Sequence, residues 1–438
     1  MARADLPIIS LFSGALGLDL GLEQAGFRIA AAVECNKFAA DTIRTNRPDV
    51  VLLEKRIEEL STKEILAAAG LKRGEPALVT GGPSCQAFST AGQRGSMSDP
   101  RGVLFREFLR VVREARPRFF VMENVKGILS AAIRHRPLGK RGPGHRVLDA
   151  DERLGSALSQ VLKELRKTGY YVVFDLLNTA DFGVPQTRER VAFIGSRDGE
   201  PIWMPEPTHA REREPGRRAW VTLKKAIGSL KEADQEFTPL APSKARFLRL
   251  VPEGGNWRDL PNRLQHEALG AAFVSWGGRS GFCRRLGWAR PSPALTTRPD
   301  SKATMLCHPK ATRPLSIQEY ASIQQFPRRW KFGGGTPQKY KQLGNAVPLG
   351  LGKAIGNAIR TAMRSRARLV PLGSVVCADQ ALLKRLAARP QTVLNPARMR
   401  RVKAYSAARK WLAGEKRMDL LRLAGTFGEQ QRRRKLGT

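Results

Sequence analysis

PIISLFSGALGLDLGLEQAGFRIAAAVE, residues 7–34, sets an apolar run, a glycine-bearing turn, a helix pattern and a second apolar run one after another. Residues 7–12 and 28–34 read as strands, and residues 18–26 as the helix that joins them. A strand, a crossover helix and another strand in so short a span predict two parallel strands of one sheet. The alternation continues downstream. Residues 49–53, 77–80 and 118–123 read as strands, with helices over 61–69 and 104–113, so the fold class is α/β with a parallel sheet covered on both faces. Residues 170–178 and 190–194 read as two further strands flanking a Gly-Val-Pro turn, expected as a hairpin at the sheet edge.

Between residues 133 and 151 a Pro/Gly/Arg-rich stretch (RHRPLGKRGPGHR) reads as a surface insertion. From 197 to 283 the alternation stops, and the segment is expected to form a separate small domain. Regular pattern resumes near Leu286, with helices at 316–325 and after Pro348. Beyond Ser365 the chain is expected to be helical, and there it carries 18 basic against 4 acidic residues. The irregular segment 197–283 is close to balanced, with 14 basic and 11 acidic.

The whole chain has 438 residues and a net charge of +37. Such an excess calls for a polyanion, and nucleic acid is the natural candidate; a membrane surface or plain solubility would also account for it. No run approaches the length of a membrane span and no signal segment opens the chain, so no membrane association is expected. The five cysteines, at 35, 85, 283, 307 and 377, form no CxxC pair. Neither a disulfide framework nor a zinc site is expected, no metal is called for, and a reducing cytoplasm fits.

Five short segments carry chemistry. FSGALG (12–17) leaves the first strand and opens a helix, where glycine lets the backbone approach a ligand. Glu34, about twenty residues on at the end of the second strand, can accept hydrogen bonds from ribose hydroxyls. The pattern is not a full GxGxxG, which favours a nucleoside cofactor without pyrophosphate. GGPSCQAFS (81–89) follows the fourth strand and holds Cys85 in a Gly/Pro-shaped loop, where its thiol is a candidate nucleophile once deprotonated. MENV (122–125) places Glu123 at another strand end, able to bond or protonate a ring nitrogen if burial raises its pKa. QTRER (186–190) carries Arg188 and Arg190, of which one is expected to face the cleft and the other to brace the backbone. QLGNAVP (342–348) is a turn before a late helix. Taken singly, each has a plainer reading as a tight turn, a buried thiol, a helix cap or an exposed basic turn. Together they say more.

In this order and at these gaps, the five segments resemble the DNA cytosine-5 methyltransferases over about residues 6–362. DPRG (99–102), RPLS (313–316) and Phe326-Pro327 add to the likeness. The resemblance implies a Rossmann-like, S-adenosylmethionine-dependent sheet with a smaller, irregular target-recognition domain. The catalytic domain would comprise 1–196 and a return segment 284–364, with 197–283 reading the target and 365–438 forming a basic extension. It implies methyl transfer to carbon 5 of a flipped-out cytosine in duplex DNA through a covalent Cys85 adduct, as part of a restriction–modification system. Cys85, Glu123, Arg188 and Arg190 would be catalytic. Arg190 would contact the carbonyl oxygen of the base, while Arg188 would support the cysteine loop and the DNA backbone. Phe12, Gly14, Ala15, Gly17, Glu34, Ile57, Pro83, Asn345 and Val347 would hold S-adenosylmethionine. Residues 90–98 suit a loop that closes over the extruded base. The partners implied are double-stranded DNA and a cognate restriction endonuclease.

The chain departs from the family at two points. Arg56 stands where an aspartate usually contacts the adenine amine, and arginine has no acceptor, which leaves weaker binding or another carboxylate such as Glu54. Leu16 replaces a glycine and is expected to crowd the methionine end of the site. An inactive DNA-binding relative and a tRNA cytosine-5 methyltransferase are the alternatives.

Overall fold

The computed structural model describes residues 5–83, 100–136, 140–141, 144–274 and 279–388. The expected alternation is present: β1 (Pro7–Leu11), α1 (Gly17–Gln24), β2 (Arg28–Val33), α2 (Lys37–Asn46), β3 (Val51–Leu53), α3 (Thr62–Ala68), β4 (Leu78–Gly81), α4 (Pro100–Ala115), β5 (Phe119–Val125), α5 (Ser156–Arg166) and β6 (Tyr171–Asn178). Next come β7 (Gln186–Thr187), β8 (Glu189–Ser196), β9 (His209–Ala210), β10 (Arg218–Ala219), α6 (Leu223–Ile227), α7 (Pro242–Leu248), α8 (Asn262–Leu269) and β11 (Ser292–Pro293). The last elements are α9 (Ile317–Ile323), α10 (Thr336–Asn345), α11 (Leu349–Arg364), β12 (Val375–Cys377) and α12 (Gln380–Ala387).

Eight strands form one sheet in the order β12-β6-β8-β5-β4-β1-β2-β3. All neighbours are parallel except β8, which runs antiparallel to both β5 and β6. Side chains alternate across the strands. Ile8 of β1 faces a cluster that includes residues of α1 and α11, while Ile9 and Leu11 face the one built on α3, α4 and α5. Both faces are therefore covered, which is what a mainly parallel sheet requires.

The structure corrects two expectations. The pair β6 and β8 does not lie at the edge: β8 sits between β5 and β6, and its run from Val191 to Ser196 is buried throughout, as an interior strand must be. The edge beyond β6 is closed by β12, which comes from the stretch expected to be wholly helical; Val375, Val376 and Cys377 pair with Val172, Val173 and Phe174. The insertion at 133–151 is held at the surface by Arg134, which pairs with Asp149 and Asp151 at 2.5 and 2.9 Å.

Residues of α7 and α8 form a third apolar cluster with Trp257, Cys283, Met305 and Cys307. Its core thus draws on residues past position 283. Buried Arg285 ties it together by donating to the carbonyls of Leu248, Val251 and His308 at 2.6, 2.8 and 3.0 Å.

The chain returns to its beginning through α11, which lies against α1. A Cβ on Gly17 would come within 2.4 Å of the Val347 carbonyl oxygen, and one on Gly21 within 2.3 Å of that of Leu349. Only glycine permits two backbones to approach so closely.

Candidate active site

The carboxyl ends of β1, β2, β4 and β5 share one edge of the sheet. Here the turn after β1 departs from ordinary backbone geometry. Phe12, Gly14 and Leu16 all have positive φ, at 56°, 54° and 65°. A Cβ on Gly14 would meet nothing within 4 Å, so the turn is open at that point. Glu34 closes it from the side: its carboxylate accepts from the Gly14 amide at 2.8 Å and the Asn36 amide at 2.7 Å. Burial nevertheless raises the Glu34 pKa above the ordinary glutamate range, opposed by these amide bonds.

Ala15 is buried in the turn. Phe12 packs on the apolar cluster that contains Ile57, and Val347 is buried against Gly17. Asn345, the last residue of α10, is exposed. Leu16 does not crowd the cleft as expected. Its side chain is fully buried in the core beneath the turn, and the departure is carried by the backbone, where a left-handed non-glycine residue costs about 1–2 kcal/mol.

On the neighbouring strands, Gly82 and Pro83 follow β4. A Cβ on Gly82 would lie 3.1 Å from the Glu123 carboxylate, and the Pro83 carbonyl accepts from the Asn124 side chain at 3.3 Å. The chain thus enters the segment of Cys85 beside Glu123. Cys85 itself and the loop 90–98 lie outside the described residues.

Glu123 is only 8% exposed. Its Oε1 stands 2.6 Å from Arg190 Nε as a buried ion pair. The register explains the contact. Arg190 is directly opposite Val125 on antiparallel strands, which makes it the diagonal neighbour of Glu123. Burial raises the Glu123 pKa, opposed first by the charge of Arg190 and then by that of Arg188.

Arg188 and Arg190 would share a face on an unbroken strand. The chain breaks between β7 and β8 at Arg188, and the two side chains part. Arg188 is 3% exposed and donates to the carbonyls of Leu295 and Gly344 at 3.0 and 2.8 Å. The expected support of the DNA backbone therefore does not fit it: a side chain so enclosed braces the late turn.

Residues 6–361 match the C-5 cytosine-specific DNA methylase family. The chain belongs to that family. It is 36% identical to the Type II methyltransferase M.Sau96I of Staphylococcus aureus over 360 residues, covering 81% of this chain and 76% of the relative. It is 38% identical to M.PspPI of Psychrobacter over 362 residues, with 80% and 78% covered. Among solved structures, a candidate DNA modification methyltransferase from an Escherichia coli prophage shares the fold, with a TM-score of 0.56, 22% identity, and coverage of 82% of this chain and all of the other. The chain is accordingly a DNA (cytosine-5-)-methyltransferase, and among its described residues no helix is long and apolar enough to cross a membrane.

Sequence reasoning missed the amide network that sets the methyltransferase's late turn. Gln186 donates to Gln324 at 3.1 Å and accepts from the Leu295 amide at 3.0 Å; Gln324 in turn donates to the carbonyls of Leu343 at 2.6 Å and Ala346 at 3.2 Å. Gln186 lies within a segment already singled out, but nothing in the sequence marks Gln324 as its partner.

Proposed function

We propose that this methyltransferase acts through a covalent adduct between Cys85 and carbon 6 of a cytosine extruded from duplex DNA. Carbon 5 of cytosine is too weak a nucleophile to take a methyl group unaided. Addition of the Cys85 thiolate forms a sulfur–carbon bond at carbon 6 and pushes an electron pair toward carbon 5, which then bonds to the methyl carbon. When bound, S-adenosylmethionine would supply that methyl group as an electrophile, its sulfonium sulfur keeping the electron pair of the broken sulfur–methyl bond and leaving as S-adenosylhomocysteine. Loss of the carbon 5 proton to a base or water returns the electron pair, expels the thiolate and restores the aromatic ring.

Glu123 holds ring nitrogen 3 and the exocyclic amine, and its burial-raised pKa suits a proton shared with the ring. Arg190 reaches the carbonyl oxygen of the base. Arg188 positions the late turn. Phe12, Gly14, Ala15, Gly17, Glu34, Ile57, Pro83, Asn345 and Val347 form the S-adenosylmethionine site. The open turn at Gly14 beside the Glu34 carboxylate fits a nucleoside with a small amino-acid tail.

Extrusion of the base costs a few kcal/mol, which basic contacts to phosphate offset. Segment 197–283, with its near-neutral charge, reads base edges, and the enzyme protects host DNA from a cognate restriction endonuclease, in keeping with its Type II relatives.

One observation carries the reading: the buried Glu123 carboxylate, paired with Arg190, at a strand end beside Gly82 and Pro83, which lead into the segment of Cys85. Bisulfite sequencing of plasmid recovered after expression should show protected cytosines in one short motif. Unmodified plasmid alongside soluble protein would favour an inactive DNA-binding relative. A duplex carrying 5-fluorocytosine should trap a covalent adduct with the wild type and none with Cys85→Ala; equal trapping would remove Cys85 from the mechanism.

A further inference from the structure

The short strand β11 brings an exposed arginine to the catalytic edge of the sheet. β11 runs parallel to β7, with Ser292 beside Gln186 and Pro293 beside Thr187. β7 leads into Arg188, whose carbonyl accepts from the amide of Thr179, just past the end of β6. β5 and β6 both run antiparallel to β8, so the end of β6 lies on the same edge of the sheet as Glu123. A chain that runs beside β7 in the same direction therefore emerges on that edge. Side chains hold it there. Arg188 donates to the Leu295 carbonyl at 3.0 Å, and Tyr320 Oη donates to that of Thr296 at 3.2 Å. Gly344 packs so closely that a Cβ on it would fall 2.6 Å from the Thr296 carbonyl carbon. Thr297 and Arg298 follow directly, and both are exposed.

The charge of Arg298 is not consumed within the protein. Its side chain is 77% exposed, and the Asp300 carboxylate stands 3.9 Å from its Nε, too far for a hydrogen bond. Asp300 has a nearer partner, because Lys244 donates to its carbonyl at 2.8 Å and to its carboxylate at 3.3 Å. Arg298 is thus a guanidinium standing at the rim of the pocket that Glu123 and Arg190 form, on backbone anchored from below. A guanidinium matches the paired oxygens of a phosphate, the anion that duplex DNA presents to a protein surface. Swinging a base out of the stack rotates the backbone about it, so the phosphates flanking that base come closest to the rim.

We propose that Arg298 binds a phosphate flanking the extruded cytosine, on the strand that is methylated. The DNA-contacting surface thereby extends past residue 283 into the loop that follows β11. The proposal rests on the reading that Glu123 and Arg190 hold the base.

The test is equilibrium binding of the full-length protein, across a range of salt concentrations, to a short duplex carrying the motif that plasmid sequencing reports. Arg298→Gln should weaken binding roughly five- to ten-fold at low salt. It should also make the slope of log affinity on log salt shallower by about 0.9, the share of one phosphate. Arg298→Lys keeps the charge and should keep the slope. Arg28→Gln removes an exposed charge at the opposite, amino end of β2 and should leave the slope as in wild type. Duplexes with one uncharged methylphosphonate, on either side of the target cytosine, locate the contact. One of the two should weaken binding by wild type but not by Arg298→Gln. An unchanged slope in Arg298→Gln overturns the proposal, as does an equal flattening in Arg28→Gln. So does a relaxed methylation motif in Arg298→Gln, which would make Arg298 a reader of bases. Glu123→Gln separates the two layers. If it is inactive while neither methylphosphonate couples to Arg298, only the Arg298 assignment falls. If it methylates as wild type does while the coupling is present, the phosphate contact stands and the base pocket has been misplaced.

Discussion

Replacing Gly17 with alanine adds one methyl group at the point where the two ends of the catalytic chain meet. Its Cβ would stand 2.4 Å from the Val347 carbonyl oxygen and 3.3 Å from the Ala346 Cβ, whereas real Cβ atoms essentially never approach within 3.0 Å. The nearest obstacle is backbone, so no side chain can rotate away. The turn 345–347 must retreat from α1 by about 0.6 Å, the difference between those distances. Overpacking of this kind costs about 1–3 kcal/mol. Binding sites tolerate displacements of about 0.5 Å before affinity suffers. Gly17→Ala is therefore expected to lower affinity for S-adenosylhomocysteine by about ten-fold or more, with a fall of a few degrees in melting temperature. Gly14→Ala is the contrast, because its Cβ would meet nothing within 4 Å and only the φ of +54° is unfavourable. Its stability cost should stay near the ~1 kcal/mol of a left-handed alanine. Calorimetric titration together with scanning fluorimetry reads both quantities. If Gly17→Ala bound the cofactor product and melted as the wild type does, the contact between α1 and the late turn would have no part in building the site.

Burial pushes the Asp19 carboxyl up to about 7. The folded chain therefore holds a proton that the unfolded chain has lost between pH 3.8 and 7, and stability should fall across that window by about 1.4 kcal/mol per pH unit, then level off. Urea unfolding at pH 5 and pH 7 should show a drop shared by wild type and lost in Asp19→Asn; parallel drops in both would contradict it. Glu123→Gln keeps the shape of the side chain but removes its charge and its titratable proton, so single-turnover methylation should slow by about two orders of magnitude or more while the protein still folds. Retention of most activity would exclude Glu123 from transition-state stabilisation. Removing residues 389–438, which carry 14 basic and 3 acidic residues, should flatten the salt dependence of DNA binding, measured as the slope of log affinity on log salt; an unchanged slope would mean the segment makes no phosphate contacts. Truncation at 366 should instead destabilise the protein, because it takes away β12 and uncovers β6.

The first half of the sheet was legible because its strands are short, β-branched runs ended by turn residues. Helices α2 and α5 were not read, although Asn36 caps α2 by accepting from the Ala39 amide and Leu158, Val161 and Leu165 mark one buried face of α5. The order of strands was beyond periodicity. Nothing local tells β8 to insert between β5 and β6, and β12 is a three-residue strand inside an arginine-rich run. Among the candidate site residues, Glu34 and Glu123 announced themselves by standing at strand ends. The place of Arg188 did not, because its partners, Leu295 and Gly344, lie 107 and 156 residues away. Such bonds depend on tertiary neighbours that no spacing rule encodes.

The seam between Gly17 and Val347 has a temporal meaning as well. At about 5–20 residues per second, a ribosome that has delivered the first strand needs on the order of half a minute to deliver the turn that meets it. Throughout that interval the nascent polypeptide lacks the backbone contact on which the proposed S-adenosylmethionine site is built. Newly started copies stay silent, and modification of the chromosome begins only with chains whose synthesis has passed that turn.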